Sequence, residues 1–227
     1  MKPHVAHPLV LQAIEVRALR EGHLSQVRVP VTSKQTPPGR YHFDGYGANG
    51  RNQLLARFET PGGDPDPGMW HTACPFGDVG TMTWIREPWY QPVGSTDRRP
   101  NPHKIVAYAA DHDRTQPAPR YRRACHMPRW ASRYRVTVTG TRLLRLHEVS
   151  NEDAVNLGAP FWWDDLPYEN AKAHGNVWTD IAVREGWKKH APDWRGAFGA
   201  MWVDLHGKKS WESNLWCWTL GVELVKL

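Results

Sequence analysis

"LWCWTLGVELV", residues 215–225, carries apolar side chains on both of its alternating faces. A strand with one wet face shows a period of two, apolar in and polar out. This stretch does not, and it therefore predicts a central strand buried on both faces.

Other segments read as its neighbours. "SQVRVPV" (25–31) alternates, with Val27, Val29 and Val31 facing one way and Gln26 and Arg28 the other. Pro30 cannot donate a ladder hydrogen bond, so this strand belongs at an edge. "RYRVTVTG" (133–140) puts Tyr134, Val136 and Val138 on one face and Arg133, Arg135 and Thr137 on the other. "HPLVLQ" (7–12), "GTMTWIREPWY" (80–90, stopped by Pro88) and "KIVAYAA" (104–110) are further short strands.

Helices fall between them. "AIEVRALRE" (13–21) has helical spacing and a stop at Gly22. "VSNEDAVNLG" (149–158) opens on Ser150 as N-cap with Asp153 three residues on, and stops at Gly158. "AFGAMWVDLHG" (197–207) spaces Phe198, Met201, Trp202 and Leu205 along one face. Residues 34–69 are rich in Gly and Pro and read as an excursion with a hairpin through "YHFDGYG" and "LLARFE"; residues 91–103 read as another loop. The pattern predicts an α+β fold, a small and mostly antiparallel β-barrel with flanking short helices. One domain spans 1–227, with loop insertions at about 32–68 and 91–103.

Composition narrows the function. Net charge is +6, with a sequence pI near 9.3 and 13 Trp. Guanidinium groups suit phosphate or carboxylate partners, while Trp serves both stacking and core filling. Three Cys (Cys74, Cys125, Cys217) are too few for a disulfide framework. No signal peptide and no run of 18 apolar residues is present, so the expectation is a cytoplasmic protein with no membrane partner. "HTAC" (71–74) and "CH" (125–126) mix their ligand types, and Pro75 follows Cys74, so no metal site is expected. Neither a glycine-rich nucleotide loop nor a nucleophile elbow occurs, and no cofactor is expected.

Two features carry candidate chemistry. "PRYRRACHMPRWASRYRVTV" (119–138) interleaves His126, Arg129, Arg133 and other basic or part-basic side chains with Tyr121, Trp130 and Tyr134, and holds no acid. Stacking plus phosphate neutralisation is how single strands and flipped bases are held. A solvated cationic face explains the same spacing. Glu87, in "WIREPW" beside Trp84 and Arg86, reads either as a ligand-orienting or general acid/base carboxylate or as half of an internal salt bridge. Asp164 and Asp165 are adjacent, point apart, and mark a loop or helix start.

The segments "HPLVLQAIEVRALREGHLSQVR", "CPFGDVGTMTWIREPWY", "IVAYAAD", "HMPRWASRYRVTVTGTRLLRLHEVSNEDAVNLG" and "FGAMWVDLHGKKSWESNLWCWTLGVEL" together resemble the phage-encoded branch of the ASCH-domain family, a PUA-like fold. The resemblance implies a cleft that takes RNA or a modified nucleoside, lined here by Ser25, Gln26, Arg28, Trp84, Arg86, Glu87, His126, Arg129, Trp130 and Arg133. Some members hydrolyse N4-acylated cytidine and others are ribonucleases. Their Lys, Thr or Glu, and second Glu fall on Leu24, Val27 and Leu157 in this sequence. Leu cannot move a proton. The expectation is therefore a binding protein without the family's amidohydrolase chemistry. Two alternatives are an enzyme with a relocated site on Glu87 and His126, and a phage factor that binds a host protein.

Overall fold

A computed structural model describes residues 7–31, 42–48, 54–62, 68–91, 107–111, 120–165 and 194–225. In chain order the elements are β1 (Leu9–Val10), α1 (Ala13–Arg20), β2 (Gln26–Pro30), β3 (His42–Ala48), β4 (Leu54–Glu59), β5 (Met69–Ala73), β6 (Met82–Arg86), β7 (Trp89–Gln91), β8 (Ala107–Tyr108), β9 (Arg120–Arg122), β10 (Arg135–Arg145), α2 (Asn151–Asn156), α3 (Ala159–Asp165), α4 (Trp194–His206), α5 (Lys208–Glu212) and β11 (Trp216–Leu224). Two 3-10 turns, Ala124–His126 and Arg129–Ala131, lie between β9 and β10.

The main sheet has five strands in the order β1-β6-β10-β11-β2. Only the β1–β6 pair is parallel. β11 lies between β10 and β2, and Cys217, Trp218, Thr219 and Leu220 are each at most 1% exposed. The double burial expected of 215–225 is thus observed over Cys217–Leu220, whereas Glu223 is exposed; β2 is an edge strand as Pro30 requires.

Each face of β11 serves a different core. Trp218, Leu220 and Val222 join Val27, Ile85, Val136 and Leu143 on one side. Onto this side packs a second sheet, β3-β4-β5, whose Phe43 and Phe58 lie 6.0 and 5.4 Å from Trp216, ring centre to ring centre. The backbone N–H of Leu143 donates to Tyr46 Oη at 2.7 Å and ties the two sheets. On the other side Cys217 joins Ala154, Leu157, Phe198, Met201 and Trp202 of the helical layer. Within that layer Gly199 of α4 lies under the indole of Trp211 in α5; a Cβ there would sit 2.9 Å from the ring.

Local signals behave as their chemistry dictates. Ser150 Oγ accepts from the Asp153 N–H at 3.0 Å while Asp153 accepts from the Ser150 N–H at 3.2 Å. At the start of α1 the Gln12 N–H donates to Glu15 at 2.6 Å. Gly22, Gly158 and Gly207 all adopt the positive φ of helix stops.

The structure corrects several expectations. The fold is mixed α+β with mainly antiparallel sheets, but among the described residues the main sheet is open: β1 and β2 form its two edges and do not pair. The 32–68 excursion holds the hairpin β3–β4, which β5 extends to a sheet of its own. Asp164 and Asp165 lie within α3, after its first turn, rather than in a loop or at a helix start. Of "KIVAYAA" only 107–110 lie among the described residues, with Ala107–Tyr108 as strand. Of 91–103 only Gln91 is described, in β7.

Candidate nucleic-acid interface

The ten residues singled out from the sequence separate into three groups. Ser25, Gln26 and Arg28 form the first, and they bind β2 to the helical layer. Arg28 Nη1 donates to the carbonyls of Arg145 at 2.9 Å and Leu146 at 2.8 Å, and Nη2 donates to that of Glu148 at 2.6 Å. Its side chain is 0% exposed. Burial pushes the guanidinium below its usual range, with the Cys217 thiol and Asp153 nearby opposing that shift. Gln26 Nε2 and Arg142 Nη2 both donate to Asp153 Oδ1, at 3.3 and 2.8 Å. Burial works against that carboxylate, yet the Ser150 N–H and Arg142 outweigh it and hold Asp153 below the usual range. Ser25 Oγ reaches Asn156 Oδ1 at 3.2 Å. Alternation had placed Gln26 and Arg28 on an open face; instead the helical layer covers that face and both are buried. Leu24, Val27 and Leu157 are core residues, exposed by 3, 2 and 4%.

Glu87 and Arg133 form the second group. Arg133 Nε donates to Glu87 Oε1 at 2.8 Å and Nη2 donates to Oε2 at 2.9 Å, a bidentate pair. Arg133 also donates to Asp111, which accepts from Arg20 Nη1 at 2.6 Å. The guanidinium lies 3.9 Å from the ring centre of Tyr108 and 4.9 Å from that of Tyr134. Burial opposes the charge on Arg133, but the bonds to Glu87 and Asp111 more than offset it and hold its pKa above the usual range. Of the two readings of Glu87, this is the salt bridge. Its partners are Arg133 and, through its backbone N–H, Met127 Sδ at 3.2 Å, rather than His126.

The third group faces solvent. His126 and Arg129 are exposed, Trp130 is 46% exposed, and Trp84 and Arg86 are half-buried. Arg86 lies over Trp84, 4.9 Å from the ring centre, and donates to the carbonyl of Cys125 at 3.1 Å. Ser132 Oγ donates to the carbonyl of Ile85 at 2.8 Å, so both 3-10 turns are moored to β6. Tyr121 (51% exposed), Arg123 and Arg135 are also exposed and were not among the ten. Their signal was present, since all three lie in the acid-free stretch. Arg122 lies in the same stretch, yet its side chain donates inward to Gln91 Oε1 at 3.0 and 2.7 Å. Asp111 and Arg20 were missed because nothing in their spacing announces a shared partner.

Among the described residues no three His, Cys, Asp or Glu side chains are grouped to hold a metal, and no helix is long and apolar enough to cross a membrane. Burial raises the Cys74 thiol to about 11 and the Cys217 thiol to about 12, whereas Cys125 is exposed. No family model, curated protein or solved structure matches the chain.

Proposed function

We propose that this chain is a PUA-like, ASCH-type module that binds RNA or a nucleoside through the surface around the two 3-10 turns, and that it does not turn the ligand over. One observation carries the reading. Trp130 and Tyr121 stand open to solvent, as do the Arg123 and Arg129 cations and the His126 imidazole, in a stretch without an acid. π-Faces beside phosphate-binding groups are what stacked, single-stranded bases need. The absence of turnover rests on Leu24, Val27 and Leu157. Their side chains fill the core where the resembled enzymes carry polar groups.

Salt dependence tests it. Neutralising phosphates releases counterions, so log affinity falls linearly with log salt. Spacing alone would pick Arg129 and Arg133 for removal, but Arg133 belongs to Glu87. The informative pair is Arg123→Ala with Arg129→Ala, expected to lower the slope by about one unit per lost phosphate contact. An unchanged slope removes the stretch from the interface. Mass spectrometry of nucleosides or RNA released on denaturing the purified protein would identify the ligand.

A further inference from the structure

We infer, resting on that RNA-binding reading, that the ligand is a single strand of several nucleotides rather than a free nucleoside, and that it continues from Trp130 onto the outer face of β6 and β10. Strand register assembles a second platform there. Trp84 is the cross-strand partner of Arg135, Met82 of Thr137, and Val10 of Arg86. Thr83, Ile85, Val136 and Val138 turn inward and are at most 2% exposed. Their alternating neighbours Trp84, Arg86 and Arg135 must therefore share the opposite face.

The helical layer covers this face of the sheet at its Cys217 end. At the Trp84 end the face is open, with Met82 52% and Val10 46% exposed. The Arg86 guanidinium lies over one face of the Trp84 ring, 4.9 Å from its centre. Arg135 is exposed, and Glu223, the cross-strand partner of Thr137, shares its face. An aromatic ring beside two cations at the open end of a sheet face offers a base a stacking surface and its phosphate a counter-charge.

The two platforms are close. Arg86 bonds to Cys125 in the first 3-10 turn, and Ser132, two residues beyond Trp130, bonds to Ile85, next to Trp84. Chain reach bounds the separation of the Trp84 and Trp130 backbones at about 20 Å. A nucleoside can occupy one such platform. A strand of a few nucleotides can occupy both, and its gain over the nucleoside is the multivalent one.

Binding of a labelled oligouridylate of about 12 nucleotides, in the size range of single-strand binding sites, is compared with binding of UMP. The oligonucleotide should bind at least about 100-fold more tightly. Trp84→Ala and, separately, Arg135→Ala should each weaken oligonucleotide binding by about five- to tenfold, a larger factor than either imposes on UMP. Arg135 is exposed, so its variant remains informative if Trp84→Ala folds poorly. Equal binding of the two probes overturns the inference. So does wild-type affinity for the oligonucleotide in both variants when Trp130→Ala has lost it; either result leaves the RNA-binding reading intact. Failure of the wild-type protein to bind either probe overturns that reading itself.

Discussion

Arg133 grips both oxygens of Glu87, at 2.8 and 2.9 Å, and so joins the end of β6 to the start of β10 by a charge pair whose acid is 1% exposed. Removing one member of such a pair leaves the other buried and uncompensated. Arg133→Ala should therefore lower unfolding free energy by about 3–5 kcal/mol, measured by urea denaturation. The double variant Glu87→Leu/Arg133→Met removes both charges and should recover most of that loss. A double variant less stable than Arg133→Ala would show that the pair is worth more than its apolar replacement.

Glu15 sets a pH dependence. Burial raises its carboxyl from 4.5 to about 7, against the pull of the Gln12 N–H. The folded chain thus holds a proton that the unfolded chain has released between these values. Its contribution is full below the unfolded pKa and is lost as pH rises through about 7. Melting temperature should fall across that window, and Glu15→Gln should flatten the fall. An identical slope in the variant assigns the effect elsewhere.

No release of acetate from N4-acetylcytidine is expected. General acid–base help alone is worth ~10²–10⁴ in rate, and neither Leu24, Val27 nor Leu157 can supply it. Restoring polar groups carries its own penalty, because these positions lie in the core. Leu24→Lys should destabilise by several kcal/mol, on the order of an unpaired buried charge. A Cβ on Gly158 would lie 3.7 Å from Leu24 Cβ, so residue 157 is a near neighbour of 24. Leu157→Glu in the Leu24→Lys background should then recover part of the loss, read as a positive coupling in a double-mutant cycle. Turnover by the unaltered protein would falsify the binding-only reading.

Gly199 decides a packing contest. Replacing a helical Gly by Ala normally gains about 1 kcal/mol. Here the added methyl would meet two atoms of the Trp211 ring at 2.9 and 3.0 Å, and the ring is wedged against Phe198 and His147. Overpacking of this kind costs about 1–3 kcal/mol, so Gly199→Ala should be net destabilising in thermal melts.

Elements with a strong local cause were legible in the sequence. The unbroken apolar run of β11, the capping box at Ser150 and the Phe198/Met201/Trp202 stripe each depend on neighbours in the chain, and each stands where its pattern placed it. The fate of individual charges was not legible. Arg28 and Arg135 look alike in their alternating strands, but one lies under the helical layer and the other on the open end of the same face. Which end a helix covers is a tertiary fact that period-two patterning does not encode. For the same reason the Arg-rich stretch divided: Arg133 and Arg122 found acceptors on distant segments, while Arg123 and Arg129 show none among the described residues.

The place of β11 also bears on how the chain reaches this state. β2 pairs with it through Pro30 and Cys217, and β10 through Leu144 and the same Cys217. During synthesis β2 and β10 are therefore both made before the strand that joins them exists. Until it is added, the edges of β2 and β10 and the apolar faces of Val27 and Leu143 have no permanent cover. Long-range pairings of this kind form slowly, and unpaired edges are where chains associate wrongly. Truncation just before residue 216 should thus yield an aggregating chain rather than a smaller folded one.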